Sequence, residues 1–246
     1  MFGRSRRDEP FEALHWDEIT QFTVGRTLRN TFRTSKRGEG AHAVRFVRTR
    51  GGDEYMVPGV YIVPVEPAGP LAKGGFRLFE DEAGRQLLCT VLPDGSDRYR
   101  VTDAAGRELG SVRRTPVTKR LTQQGLWMEQ LGHPVIVAPR AWARGGPGAS
   151  LGRGAGHVLD GIVDSLLSFG SDEATGSGGS LKPVVWATVV GAGEGADGTG
   201  EAVLTFPRRS DGTRWYFVKR DGWLDKRLAF ALAVLRETDT IGGDRR

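Results

Sequence analysis

The sequence predicts a mainly β protein, an antiparallel sandwich or barrel that encloses a hydrophobic C-terminal helix and carries one further short amphipathic helix. Eight apolar residues run without a break over 228–235. About a dozen segments with strand character recur, many at intervals of about 8–12 residues between Gly or Asp turns. With 246 residues and 38% hydrophobic content, the chain can build one large core or two small ones.

The last helix is predicted over 223–237. At about 100° per residue, consecutive apolar positions over 228–235 cover every side of a helix, which must therefore be buried. The run is too short to span a bilayer, which takes about 20 residues. Asp225 in the first turn and Arg236 in the last suit the helix dipole. We therefore expect the rest of the chain to enclose this helix.

The chain begins with a basic tail, residues 1–10, that we expect to be disordered. The following β segment, 11–66, includes the phrases HWDEI and AVRFVRTRGGDEYMVP within 14–58, which resemble fragments of bacterial pleckstrin-homology-like domains. No closing helix follows, because the Pro-rich passage 63–70 cannot continue a helix or a central strand. We interpret this passage as a boundary, and 11–66 as either a separate unit or part of the barrel.

Residues 67–240 are predicted to form the main β domain, with 241–246 as a tail. Its expected strands lie at 76–80, 86–92, 99–103, 109–112, 126–131, 134–138, 184–190, 202–206 and 214–218. A flexible Gly- and Ser-rich insertion, 144–181, interrupts them. Within it, apolar positions at helical spacing predict the amphipathic helix over 157–169, which we expect to pack on the barrel.

Two motifs carry a resemblance to a known family. FRLFEDEAGRQLL and YRVTDAAGRELGSVRR each form a strand, an Asp-x-x-Gly turn and a second strand, with the turns beginning at Asp81 and Asp103. DKRLAFALAVLRETD is an apolar helix after the final strand. On these motifs, residues 74–240 resemble the tubby-C-terminal-like superfamily, in the branch of LURP-one-related proteins and phospholipid scramblases. The resemblance implies a closed antiparallel barrel of about twelve strands threaded by the helix.

The chain departs from that branch in ways that argue against lipid scrambling. We find no acidic calcium-binding segment, no cysteine-rich stretch and no membrane-spanning C-terminal helix. The N-terminus lacks the apolar region of a secretory signal, and the single cysteine, Cys89, excludes an intrachain disulfide. We therefore expect a cytoplasmic protein without a transmembrane segment, located peripherally at the membrane if it binds lipid.

No pattern predicts catalysis, a metal or a cofactor. His15, His42, His133 and His157 lack the spacing of a zinc site, and Cys89 lies among apolar residues. Asp81 and Asp103 are interpreted as turn formers. GAGEGADGTG is followed by a strand, whereas a dinucleotide loop needs a helix there, so we interpret it as a hairpin loop.

A basic stretch over 26–50 is the strongest indication of binding. The net charge is +5 and the pI about 9.6, which favours anionic partners. Within the stretch, Glu39 is the single acid. Against it stand eight basic residues, the candidate lipid- or anion-binding set: Arg26, Arg29, Arg33, Lys36, Arg37, Arg45, Arg48 and Arg50. A solvated outer face is the alternative. Nucleic acid is less favoured, because few aromatic residues are interleaved for stacking.

The sequence thus predicts a non-enzymatic binding protein of tubby-like or LURP-one-like fold. Its partner is expected to be an anionic phospholipid at a membrane surface or another protein. Two alternatives stay open. One is an enzyme of unrecognised type with its site in a barrel-end cleft, and the other is a scaffold or self-assembly module without a small ligand.

Overall fold

The computed structural model describes residues 14–26, 42–50, 52–66, 71–115, 125–138, 184–190, 198–207 and 214–241. These residues form twelve strands: β1 Gln21–Arg26, β2 His42–Arg50, β3 Asp53–Pro64, β4 Phe76–Phe79, β5 Leu87–Pro93, β6 Arg98–Asp103, β7 Glu108–Arg114, β8 Leu126–Gln130, β9 Ile136–Val137, β10 Val184–Val190, β11 Gly198–Phe206 and β12 Tyr216–Val218. A 3₁₀ helix, Trp16–Glu18, precedes β1. A short helix, α1 Leu71–Gly74, precedes β4, and the long helix α2, Lys226–Ile241, follows β12.

The strands form one closed antiparallel barrel, as predicted. Each strand pairs with its neighbours in sequence, and β1 pairs with β12 to close the sheet. The closing seam is short, with Gln21 opposite Phe217 and Phe22 opposite Tyr216. Closure removes the exposed edges that an open sheet would present.

The predicted burial of the C-terminal helix is confirmed, because every residue over 228–235 has 0% exposure. Inward-facing strand residues such as Val60, Leu78 and Val101 share this core with α2. The helix begins at Lys226, later than the predicted 223. Asp225 caps its N-terminus, because the Asp225 carboxylate accepts a hydrogen bond from the backbone N–H of Arg227. It also continues past the predicted end at 237.

Strands β1, β2 and β3 belong to the same barrel as β4 to β12. The described part of 11–66 is therefore part of the barrel and not a separate unit, which is one of the two arrangements that the sequence left open. The Pro-rich passage was expected to be a boundary, yet Val63 and Pro64 continue β3 and pair with Arg77 and Phe76 of β4. Pro64 is tolerated because it is the last residue of its strand.

Both Asp-x-x-Gly motifs form the predicted turns. The Asp103 carboxylate accepts the backbone N–H groups of Ala105 and Arg107, each at 2.9 Å. Asp81 accepts those of Arg85 at 2.8 Å and Gln86 at 2.7 Å. These bonds make both aspartates structural turn formers.

The two ends of the barrel differ in what they contain. At the end where α2 begins, which we call the entry end, Gln130 of β8 accepts the backbone N–H of Asp225 at 2.8 Å. At the end where α2 finishes, the exit end, Tyr216 of β12 donates to Glu237 at 2.9 Å. Because successive strands alternate in direction, the first and last residues of each described strand can be assigned to one end of the barrel.

The predicted amphipathic helix 157–169, the insertion 144–181, and the tails 1–10 and 242–246 lie outside the described residues. Among the residues described, no helix is long and apolar enough to cross a bilayer.

Candidate functional site

An open cleft lies at the entry end, between the 3₁₀ helix before β1, the β8–β9 turn and the turn that leads from β12 into α2. We call it the entry cleft. Its volume is about 690 Å³. It is lined by Trp16, Asp17, Gln130, His133, Asp221, Gly222, Trp223, Leu224, Asp225 and Lys226.

Gln130 fixes the turn that forms the floor of the entry cleft. It is the last residue of β8, and strand periodicity directs its side chain to the inner face with Leu126 and Met128. The Gln130 amide donates to the Trp223 carbonyl oxygen at 2.8 Å and accepts the Asp225 N–H at 2.8 Å. Both polar ends of this buried side chain are therefore engaged in holding the start of α2.

The ion pair of Asp225 and Arg227 connects α2 to Trp16, which forms one wall of the cleft. The Asp225 carboxylate accepts two bonds from the Arg227 guanidinium, at 3.0 and 2.7 Å. This bonding raises the pKa of Arg227 against the opposing effect of burial. The guanidinium carbon also lies 5.2 Å from the ring centroid of Trp16, within cation–π range.

Trp223 forms the opposite wall. The His133 ring meets the Trp223 ring edge-to-face, with centroids 4.7 Å apart. The Arg220 guanidinium lies 4.6 Å from the Trp223 ring centroid. Both indoles of the cleft therefore already contact a guanidinium of the chain itself.

Two exposed carboxylates flank the indoles. Asp221 is 60% exposed and pairs at 2.8 Å with the ammonium of Lys226, which is 4% exposed. That bond lowers the pKa of Asp221. Asp17 is 59% exposed and lies 2.6 Å from His15, an interaction that raises the pKa of His15. With Asp225, three carboxylates line the cleft, and two of them pair with cations of the chain, Asp221 with Lys226 and Asp225 with Arg227.

The basic residues predicted as a binding set are only partly described. Arg29, Arg33, Lys36 and Arg37 lie outside the described residues. Arg26 and Arg50 are the last residues of β1 and β2, and Arg26 pairs in the ladder with His42, the first residue of β2. Arg26 and His42, the described residues on either side of 27–41, therefore both lie at the exit end.

Arg45 and Arg48 of β2 face opposite sides of the barrel wall. Arg48 lies 5.5 Å from the ring of the buried Phe46 and shares its inner face. The Arg45 side chain lies against Gly25 on the neighbouring strand, and partial burial lowers its pKa. Odd spacing in a strand reverses the face, so these two arginines cannot contact one flat surface together.

The described charges are unevenly distributed when each residue is assigned to the nearer end of its strand, helix or connection. The entry end carries thirteen acidic residues: Asp17, Glu18, Asp53, Glu54, Glu80, Asp81, Glu82, Asp103, Glu108, Glu129, Glu201, Asp221 and Asp225. It carries eight basic ones: Arg48, Arg50, Arg85, Arg107, Lys219, Arg220, Lys226 and Arg227.

The exit end has the opposite balance. Its ten basic residues are Arg26, Arg45, Lys73, Arg77, Arg98, Arg100, Arg113, Arg114, Arg214 and Arg236. Its five acidic residues are Glu66, Asp94, Asp97, Glu237 and Asp239. By this assignment acidic residues outnumber basic ones in the entry half of the described barrel and the reverse holds in the exit half, while the ion pairs Arg98–Glu108 and Arg113–Glu129 join the two halves.

The remaining chemical candidates have structural environments. Cys89 is fully buried, which raises the pKa of its thiol and disfavours the reactive thiolate. Strand β11 follows β10 as its antiparallel neighbour, so GAGEGADGTG leads into a hairpin strand as expected. Across the described ranges, no group of three or more His, Cys, Asp or Glu side chains could hold a metal ion.

No family model matches the chain, and neither a curated protein nor a solved structure matches it. A barrel-end cleft was left open as the site of an alternative enzyme, but the residues that line the entry cleft were not predicted from the sequence. Its walls come from Trp16-Asp17 and Asp221-Gly222-Trp223, which barrel closure brings together from opposite ends of the chain. The only local signal was an Asp-Gly-Trp turn immediately before the apolar helix.

Proposed function

We propose that this chain is a non-enzymatic binding protein of tubby-like fold, in the LURP-one-related and scramblase-like branch, that acts in the cytoplasm. Its exit end contacts an anionic phospholipid surface. The barrel enclosing α2 and the two equivalent Asp-x-x-Gly hairpins support the fold assignment.

One observation carries the lipid proposal. In the basic stretch 26–50, Arg26 pairs with His42 at the basic exit end, and Arg45 lies in the same half of the barrel, whereas Arg48 and Arg50 lie toward the entry end. Each Lys or Arg close to an anionic leaflet contributes about 1 kcal/mol. A contact at the exit end brings the half of the barrel that carries Arg45 to the leaflet and keeps the entry end away from it.

Binding is favoured over catalysis because the two inner polar side chains of the entry cleft, Gln130 and Asp225, are engaged in holding the fold. Gln130 bridges Trp223 and Asp225, and Asp225 caps α2 and pairs with Arg227. A general base or nucleophile needs a group free to reach the substrate. A protein partner is the second candidate, favoured by the acidic and aromatic lining of the cleft.

Co-sedimentation with liposomes tests the lipid proposal. We expect the full chain to bind vesicles of phosphatidylcholine and phosphatidylserine and not to bind vesicles of pure phosphatidylcholine. Binding should weaken as the salt concentration rises, because the Debye length falls to about 8 Å at an ionic strength of 0.15 M. The double variant Arg33→Gln/Arg37→Gln should weaken binding about tenfold to thirtyfold.

A matched control removes the same charge from the other end. Arg85 and Arg107 are both 82% exposed at entry-end hairpins, and Arg85→Gln/Arg107→Gln should leave vesicle binding unchanged. Equal binding to neutral and acidic vesicles would exclude an electrostatic lipid contact. Equal losses in the two double variants would exclude the exit end as its site.

A further inference from the structure

We propose that the outer face of β3, β4 and β5 at the exit end docks on the anionic leaflet, with Val63 and Leu92 inserted between the lipid headgroups. We call this surface the docking face. The inference rests on the proposed lipid binding, and it adds the orientation of the barrel and an apolar contribution. A contact through the basic stretch alone would leave the docking face in water.

Two exposed aliphatic side chains mark the docking face. Val63 of β3 and Leu92 of β5 are each 42% exposed. In the described ranges, the other exposed large apolar side chains are Met56 and Leu131, and both lie toward the entry end. Exposed apolar side chains that lie close together are typical of a contact surface.

The register of the sheet places a cation between these two side chains. Val63 lies opposite Arg77 of β4, and Arg77 lies opposite Thr90 of β5, two residues before Leu92. Residues two apart in a strand face the same side, and the side chains at 63, 77 and 92 each alternate with buried neighbours. Opposite residues lie about 4.5–5.5 Å apart and diagonal ones about 7–8 Å. Val63, Arg77 and Leu92 therefore form one continuous outward surface.

The cations of the docking face are available to lipid phosphates. Arg77 and Lys73 of α1 are exposed, and neither forms an ion pair or a hydrogen bond with a residue that the structure describes. Glu66, in the same connection as α1, can offset one of these charges, whereas Asp94 of the β5–β6 turn already pairs with two arginines. One cation thus stays free, and a guanidinium binds phosphate through two parallel hydrogen bonds.

The docking face adjoins the point where the basic stretch meets the barrel. His42, the first described residue after 27–41, pairs with Ile62, the neighbour of Val63. Arg26, the last described residue before 27–41, pairs with His42 from the other side. A leaflet that the cations of the stretch attract to this point is therefore within reach of Val63.

The two kinds of contact respond differently to salt. Electrostatic attraction to anionic lipid and burial of apolar area both strengthen the binding of a peripheral protein. Salt screens the electrostatic part, whereas the apolar part does not depend on charge. The docking face therefore predicts a contribution from Val63 and Leu92 that persists as the salt concentration rises.

Spin labels on single introduced cysteines of the full chain test the inference. Cys89 has 0% exposure, so the wild-type chain should take up no label, whereas Leu92→Cys and Leu131→Cys should each accept one. Leu131 is the matched control, because it is an exposed leucine at the entry end.

The labelled chains are mixed with vesicles of phosphatidylcholine and phosphatidylserine. We expect the label at position 92 to become more accessible to oxygen dissolved in the lipid and less accessible to a water-soluble nickel complex. The label at position 131 should keep the accessibility that it has in water.

Co-sedimentation of variants measures what each group contributes. Val63→Ser/Leu92→Ser should weaken vesicle binding about threefold to thirtyfold, since the exposed part of both side chains is buried in the complex. Arg77→Gln should weaken it about fivefold. Doubling the salt concentration should reduce the effect of Arg77→Gln and leave that of the serine variant unchanged. Leu131→Ser should stay within about twofold of wild type.

The outcomes separate this inference from the proposed function. If the chain binds acidic vesicles while the label at position 92 stays in water, the docking face is wrong and the lipid proposal stands. Entry of both labels into the lipid would also overturn the inference, because the barrel would then have no preferred face. If the wild-type chain does not bind acidic vesicles, both proposals fail.

Discussion

Phe230 offers the most direct test of the architecture. It lies in the middle of α2 with 0% exposure, and its ring meets Phe22 of β1 edge-to-face with centroids 4.9 Å apart. Phe22 in turn stacks on Tyr216 of β12 at 5.3 Å. One helix side chain therefore contacts the ring pair that lies across the short β1–β12 seam.

The expected cost of Phe230→Ala follows from this environment. Removing a buried Phe side chain costs about 3–5 kcal/mol, because transfer free energy and a residual cavity both contribute. The total free energy of unfolding is about 5–15 kcal/mol. Since 1 kcal/mol shifts Tm by about 2–4 °C in a domain of this size, we expect a loss of about 6–20 °C. Phe230→Asp, which buries an unpaired charge, should prevent folding.

Urea unfolding measures the effect. The midpoint should fall in Phe230→Ala while the m-value stays unchanged, because the surface exposed on unfolding is nearly the same. Leu131→Ala is the matched control, since Leu131 is an apolar residue with 60% exposure. A loss below about 1 kcal/mol for Phe230→Ala would refute an enclosed helix, because that value is typical of surface substitutions and mild core changes.

Two further predictions concern polar groups. The backbone N–H of Arg107 is the main cause that lowers the pKa of Asp103 below 3.8. The ionised Asp103 carboxylate therefore stabilises the fold at pH values above its pKa in the unfolded chain, about 3.9. This stabilisation is lost as the pH falls through the lower pKa of Asp103 in the folded protein. Melting curves of Asp103→Asn between about pH 4 and 2 should show a weaker decline than wild type, and a parallel decline would contradict this. Glu237 is 3% exposed and accepts from Arg214 at 2.6 Å and Tyr216 at 2.9 Å. Glu237→Gln and Tyr216→Phe should each cost about 1.5–3 kcal/mol in urea unfolding, because each weakens or removes a hydrogen bond to a buried charged group; a loss within about 0.5 kcal/mol for either variant would show that the cluster contributes little.

Local sequence patterns determined most of the barrel. The predicted strand at 184–190 coincides with β10 Val184–Val190, because apolar runs, β-branched residues and turn signals are all short-range information. The incorrect predictions lie where the surrounding structure, and not the local sequence, determines how a residue is used. Pro64 was assigned to a boundary, but at the end of β3 its lack of a backbone N–H is tolerated. The start of α2 was predicted before Asp225, the residue that caps the helix.

The binding hypothesis shows the same division. Eight basic residues over 26–50 are visible in the sequence, but their faces are not. The structure directs Arg48 inward beside Phe46 and Arg45 against Gly25 on the other face. This follows from the alternation of side chains once the strand and its register are known.

The burial of 228–235 follows from the residues alone, because an apolar run that covers all sides of a helix cannot face water. The strand rhythm and the two Asp turns follow from them as well, since each depends on a few adjacent residues. The closure of β1 against β12, and with it the meeting of Trp16-Asp17 with Asp221-Gly222-Trp223, became visible in the folded barrel alone. Those residues come from opposite ends of the chain, and no local preference encodes which distant segments a closed sheet brings together.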